Sequence, residues 1–246
     1  MNKSYNRYGG GKSSFVSQNS FFYNYFSFTL SEVLITLVIV GVVAAITVPI
    51  IVADVQKQQT ISKLKKVYST LSQVILRSQN DNGPVDEWYS KEDNNYAADY
   101  YSNYYKPYLN GPVKCLGYRE CGYDKINPFY YVNGFNYGLH MGTGQTRFNF
   151  YMADGVSVIV FTGDYRDSEV APFETPWIII DLNGGKKPNR FGRDVFFFDI
   201  DKNKGAVPKC NKQTKKQVKE ECSDKGFCCF KQIINDNWEI KSDYPW

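Results

Sequence analysis

A chain of 246 residues, 43% hydrophobic and 22% charged, suffices for one ordinary domain with an appendage or for two small domains. Its 20 Tyr, 17 Phe and 4 Trp supply an aromatic core, which excludes wholesale disorder, and its single histidine, His140, excludes chemistry built on a His dyad or a multi-His metal cage. The net charge of +4 is concentrated upstream: Lys3, Arg7 and Lys12 precede any acid, while the remaining 26 basic residues nearly balance the 25 acidic ones. That excess bears on membrane topology, and the near balance of the rest argues against a nucleic-acid partner.

Residues 33–53, VLITLVIVGVVAAITVPIIVA, contain no charge. At about 1.5 Å per residue they span the roughly 30 Å hydrocarbon layer, and the run is longer than the apolar core of a cleavable secretory signal. The pattern predicts a membrane helix. Basic residues upstream and Asp54 just beyond place the N-terminus in the cytoplasm and residues 54–246 outside.

Past Ala53 the run becomes amphipathic, with Ile61, Leu64, Tyr68, Leu71 and Ile75 on one face. One helix is expected over residues 28–82, about 80 Å long, stopped by Asn82-Gly83-Pro84. Gly41 and Pro49 are its expected kink sites, since proline removes a backbone donor.

The head, residues 84–246, reads as α+β with antiparallel strands. RFNFYMADGVSVIVFT (147–162) folds back about Asp154-Gly155 as a hairpin, and further strands are expected at 177–182 and 194–200, separated by the loop NGGKKPNRFGR. The tyrosines at 89, 96, 100, 101, 104, 105 and 108 are better read as packing on the sheet than as a ligand-stacking patch. Nine lysines against three acids over 202–231 read as a solvated helix face, with no interleaved aromatics in that run to stack bases.

Other motifs fail on their spacing. Gly11-Lys12-Ser13 lacks the first glycine of a phosphate loop, and DIDKNKG (199–205) has Lys204 where a calcium loop requires glycine and Cys210 where it requires glutamate. Turn formation accounts for that segment and for Asp181-Leu182-Asn183-Gly184. No metal or other cofactor is expected. All six cysteines, Cys115, Cys121, Cys210, Cys222, Cys228 and Cys229, lie in the head, which fits disulfides in an oxidising space. Sequence leaves 15 connectivities open, with Cys115 and Cys121 able to close a short local loop, and the spacings do not fit zinc.

The segment from Ser27, SFTLSEVLITLVIVGVVAAITVP, resembles the N-terminus of type IV pilins and of type II secretion pseudopilins. The resemblance covers residues 27–52. It implies a prepilin leader at 1–27, cleavage between Ser27 and Phe28, and N-methylation of Phe28. Ser27 departs from the family's usual glycine. The family's acidic residue at mature position five falls on Glu32, and its proline at position twenty-two on Pro49. In that family the acid of an incoming subunit meets the terminal amine of its neighbour, so Glu32 is the expected assembly residue.

The resemblance also implies the fold, a long N-terminal helix whose first half spans the membrane and whose second half packs on an antiparallel β-sheet head. The implied partners are like subunits, a prepilin peptidase and an inner-membrane assembly platform with its motor. The expected location is the inner membrane, with the head periplasmic or extracellular, and then a pilus or pseudopilus. The expected role is structural and not enzymatic. The alternative is a signal-anchored periplasmic ligand-binding protein that never polymerises.

Overall fold

The computed structural model describes residues 28–88, 96–144, 146–162 and 176–246. The leader 1–27, which includes Ser27 and the Gly11-Lys12-Ser13 motif, lies outside the described residues, as does Tyr89. The chain divides into two compact units, Met1–Ile50 and Ile51–Trp246, and helix α1 (Leu30–Asn82) contributes residues to both.

In the first unit every described residue from Phe28 to Ile50 is exposed, although nearly all are apolar. A helix is the conformation that satisfies the backbone of such a segment internally when no water is present to do so. Helix α1 runs through Gly41 and Pro49 without a break.

In the second unit α1 buries Ile61, Leu64, Val67, Leu71, Val74 and Ile75, a stripe at three- and four-residue spacing. Four of the five residues on the expected face are in it. The fifth, Tyr68, is half-buried, and its ring meets that of Phe230 edge-on at 5.4 Å. The stripe packs against a six-stranded antiparallel meander, β1 (Val113–Cys115), β2 (Arg147–Tyr151), β3 (Ser157–Phe161), β4 (Trp177–Asp181), β5 (Val195–Asp201) and β6 (Gly205–Pro208), whose spatial order is its chain order. The hairpin register pairs Phe148 with Val160 and Phe150 with Val158, so these four side chains share the face turned to α1.

Short helices complete this layer. They are α2 (Tyr96–Tyr100) with the turns that follow it, α3 (Lys215–Asp224) and α4 (Cys229–Asn235). Tyr100, Tyr101 and Tyr105 are buried against Phe148 and Phe150, and Trp88 stacks on Tyr104 with ring centroids 4.5 Å apart. The lysine-rich run contains β6 as well as α3. The first turn of α3 is closed by a capping box between Thr214 and Gln217.

The opposite face of the sheet is covered too. Residues 115–141 carry little regular structure, yet they bring Cys115, Cys121, Tyr123, Phe129 and Met141 against Ile159, Ile179 and Phe197, with Phe191 beside them. Burial on both faces explains why β3 and β4 are apolar at nearly every position instead of alternating.

Leu71 is fully buried where α1 meets the sheet. Leu71→Ala should therefore cost about 2–5 kcal/mol, the usual range for a buried leucine. This would be read as a lower urea midpoint for the head of the detergent-solubilised chain with no change in the slope m.

Candidate functional site

The two features with chemical content are the entry of α1 and a buried polar cluster beneath the loop from β4 to β5. At the entry of α1, Thr29 and Glu32 form a reciprocal cap. The Thr29 N–H and Oγ1 donate to Glu32 Oε2 at 2.8 and 2.9 Å, and the Glu32 N–H donates to Thr29 Oγ1 at 3.2 Å. Threonine followed three residues later by glutamate is the sequence signature of this arrangement. The carboxylate therefore sits at the positive end of the helix dipole, immediately before the uncharged run that begins at Val33. Phe28 is exposed one residue before the cap.

The head is cross-linked three times. Cys115 bridges Cys121 across 6 residues, Cys210 bridges Cys228 across 18, and Cys222 bridges Cys229 across 7. The sulfurs of Cys210 and Cys228 lie with a Glu221 carboxylate oxygen within 4.8 Å of one another, a grouping that would suit a metal if the thiols were free. Both sulfurs are committed to a disulfide, so the grouping lacks the thiolates that bind metal.

The second feature was not visible in the sequence. Asp181, at the end of β4, is fully buried, and Asp194 nearly so. Tyr123 Oη donates to Asp181 Oδ2 at 2.9 Å and the Asn183 N–H to Oδ1 at 3.1 Å. With its carboxamide turned to satisfy both ends, Asn189 adds a bond to Asp181 Oδ2 at 3.3 Å and one to Lys186 O at 2.7 Å. Asp194 accepts from the Asn189 and Arg190 amides at 2.8 and 2.7 Å and from Asn183 Nδ2 at 3.1 Å.

Burial, and then the neighbouring Asp194 charge, pushes the Asp181 carboxyl well above the usual carboxylate range against these donors and Lys63. Burial likewise raises Asp194. The cluster braces the loop on the disulfide-closed segment below it. The two approach so closely that a Cβ on Gly185 would collide with Gly122 O, a position only glycine can occupy.

The other motifs resolve into turns and surface. Asp201 Oδ1 accepts from the Asn203 and Lys204 amides at 2.8 and 3.1 Å, and Asp199 pairs with Lys209 at 2.8 Å. His140 is exposed on a loop.

The prokaryotic N-terminal methylation motif matches residues 24–48. Together with the capped apolar helix, the carboxylate just ahead of its uncharged run and the antiparallel sheet packed on the helix continuation, that match marks a membrane-anchored type IV pilin-like precursor of the kind processed by prepilin peptidase. Residues 50–246 match a family of unknown function, DUF6613, and the chain belongs to that family. The start of that match coincides with the start of the second compact unit at Ile51. Comparison with curated proteins and with solved structures finds no match.

The raised carboxyl of Asp181 gives a signed pH dependence. Above its ordinary value of 3.8 the unfolded chain releases a proton that the folded chain retains, so this stabilising contribution is present at lower pH and is lost as pH rises. Asp181→Asn removes the titration. Between about pH 4 and pH 7 the urea midpoint of the variant should rise relative to that of the wild type, and parallel pH profiles would refute the assignment.

Proposed function

We propose that the protein is a structural subunit of a type IV pilus or type II secretion pseudopilus, which acts by assembly and not by catalysis. The observation that carries this reading is the bare helix: among the described residues, 33–50 form an uncharged, mainly apolar run that is exposed throughout. Such a surface is stable only in lipid or against other apolar helices. Lipid supplies the first environment and like subunits the second. The leader would be residues 1–27, the anchor 33–53 and the head 84–246 with the second half of the helix, the head lying outside the cytoplasmic membrane.

Glu32 would carry the switch between the two environments. A carboxylate in the centre of a membrane helix costs about 2.5–3.5 kcal/mol, and one at its edge is tolerated chiefly where it has partners. Thr29 supplies two donors, both directed at Oε2. Cleavage between Ser27 and Phe28 would create an amine close to this cap, and the Glu32 carboxylate of an incoming subunit would neutralise the amine of the one already in place. Gly41 and Pro49 would let the helix bend during extraction from the membrane. The assembly platform and its motor are the partners this process requires.

Two measurements test this. The intact mass of membrane-extracted protein should show loss of residues 1–27 and gain of one methyl group; a full-length, unmodified mass would favour the anchored, non-polymerising ligand-binding alternative. Glu32→Leu should insert in the membrane at least as well as the wild type yet enter sheared filaments more than about tenfold less, given the cost of leaving the neighbour's amine unpaired in an apolar bundle. Equal incorporation would remove Glu32 from assembly.

A further inference from the structure

Four of the cysteines lie within the last 37 residues of the chain, and two of them, Cys228 and Cys229, are adjacent. Four cysteines can pair in three ways. Pairing Cys228 with Cys229 is disfavoured by geometry, because adjacent Cα atoms stand about 3.8 Å apart and a disulfide wants roughly 4.4–6.8 Å. The two remaining isomers differ only in which member of the tandem takes which partner. The observed loops span 18 and 7 residues, and the exchanged isomer alters each by one residue. Loop-closure entropy varies so slowly with length that this changes either population by only about 1.3-fold or less. Chain statistics therefore cannot choose between them, and some contact in the folded molecule must.

Glu221 makes a contact of that kind. Its carboxylate accepts from the backbone N–H of Phe227 at 3.3 Å through Oε1 and from that of Cys228 through Oε2. Glu221 immediately precedes Cys222 on α3, and Cys228 immediately precedes Cys229 at the start of α4. The clamp from Glu221 to Cys228 and the bridge from Cys222 to Cys229 thus share the same seven-residue spacing. Fixing the first aligns the second.

Helical rotation at the start of α4 then separates the tandem side chains. Cys229 joins the core layer with Cys222, Phe230 and Ile233, so tightly that a Cβ on Gly192 would lie 2.7 Å from its sulfur. The Cys228 sulfur is left to Cys210.

We propose that Glu221 is the positioning residue that decides which of the two adjacent thiols bridges Cys222, and that chains closed in the wrong register are corrected by thiol–disulfide exchange. The correction balances without net oxidation. A thiolate from outside attacks Cys222 Sγ of a wrong Cys222–Cys228 bridge and releases the Cys228 thiolate. That thiolate attacks Cys210 Sγ of the wrong Cys210–Cys229 bridge, forming Cys210–Cys228 and releasing the Cys229 thiolate. Cys229 then attacks Cys222 Sγ, closes Cys222–Cys229 and expels the original thiolate. The adjacency of Cys228 and Cys229 is what allows one attacking thiol to correct both bridges.

The test uses the full-length chain in detergent, reduced in denaturant and reoxidised after its removal in a buffer of reduced and oxidised glutathione. Pairing is read by mass spectrometry with fragmentation between Cys228 and Cys229. The wild type should favour the observed isomer at least tenfold, the least that one hydrogen bond to a charged group contributes. Glu221→Ala should bring the two isomers within about twofold of parity.

Glu221→Gln, which keeps one acceptor, should fall between them, and it carries the test if the alanine variant yields no oxidised monomer. An excess of the observed isomer equal to that of the wild type in whichever variants fold would overturn the proposal. So would a wild type that reaches the same excess when oxidised in denaturant, where no clamp exists. A merely stabilising role for Glu221 would alter yield and leave the isomer ratio unmoved.

Discussion

The governing constraint is an apolar helical surface that is left exposed among the described residues. From Val33 to Ile50 the side chains are mainly Val, Ile, Leu and Ala, none is charged, and all are exposed. At about 25 cal/mol per Å² of apolar area, leaving a segment of that length in water costs far more than the marginal stability of any domain. A solvent other than water is thus part of the folded state. The same helix, once past Ile61, turns one stripe to a sheet and the rest of its surface to water. The composition of α1 changes after Ala53, close to where the second compact unit and the family match begin, at Ile51 and residue 50.

The polar groups at the entry of α1 answer to the same constraint. A helix end leaves four N–H groups unpaired, and in or near lipid each is costly. The Thr29–Glu32 cap satisfies one of them from the helix's own side chains and keeps a charge at the edge of the apolar run. A carboxylate that caps its own helix is held in a defined place, which is also what recognition of an amine on another chain requires. Local capping and the proposed assembly role are therefore not competing explanations of Glu32, since the cap would pre-organise the carboxylate for that pairing.

How much of this the sequence disclosed depended on whether a residue's environment was encoded locally. The length of α1 was legible because its two halves carry two strong signals, an uncharged run and then a three-four spacing, and because Gly83-Pro84 stops it. Strands β2 to β5 were legible from their apolar runs and from the Asp154-Gly155 turn. The two edge strands were not. β1 has three residues and β6 four, too few to show a period, and β6 lies inside a stretch whose lysines point to a solvated helix.

The second core layer was hidden for a different reason. Residues 115–141 have no periodicity because they form almost no ladder of their own. They are held by a disulfide, by aromatic contacts such as Tyr123 with Phe129 at 5.6 Å, and by the bond from Tyr123 to Asp181. Asp181 read as a turn former, which it is, since it accepts from the amide two residues on. Its burial is a property of the loop that lies over it, and no local pattern reports that.

The head's cross-links belong to that non-local part of the design. A sheet covered on one side by irregular chain has little backbone pairing to hold that layer in place, and the Cys115–Cys121 bridge limits the freedom of its first turn. On the other side α3 and α4 are only ten and seven residues long, below the length at which isolated helices persist in water. Their fixed geometry must come from packing, from the Thr214 cap and from the two bridges that tie α4 back to α3 and to the turn after β6. Those bridges hold only if they close in the right register. A carboxylate half-buried beside them costs desolvation, seen in the raised proton affinity of Glu221, and it orders two adjacent amides that no strand or long helix orders instead.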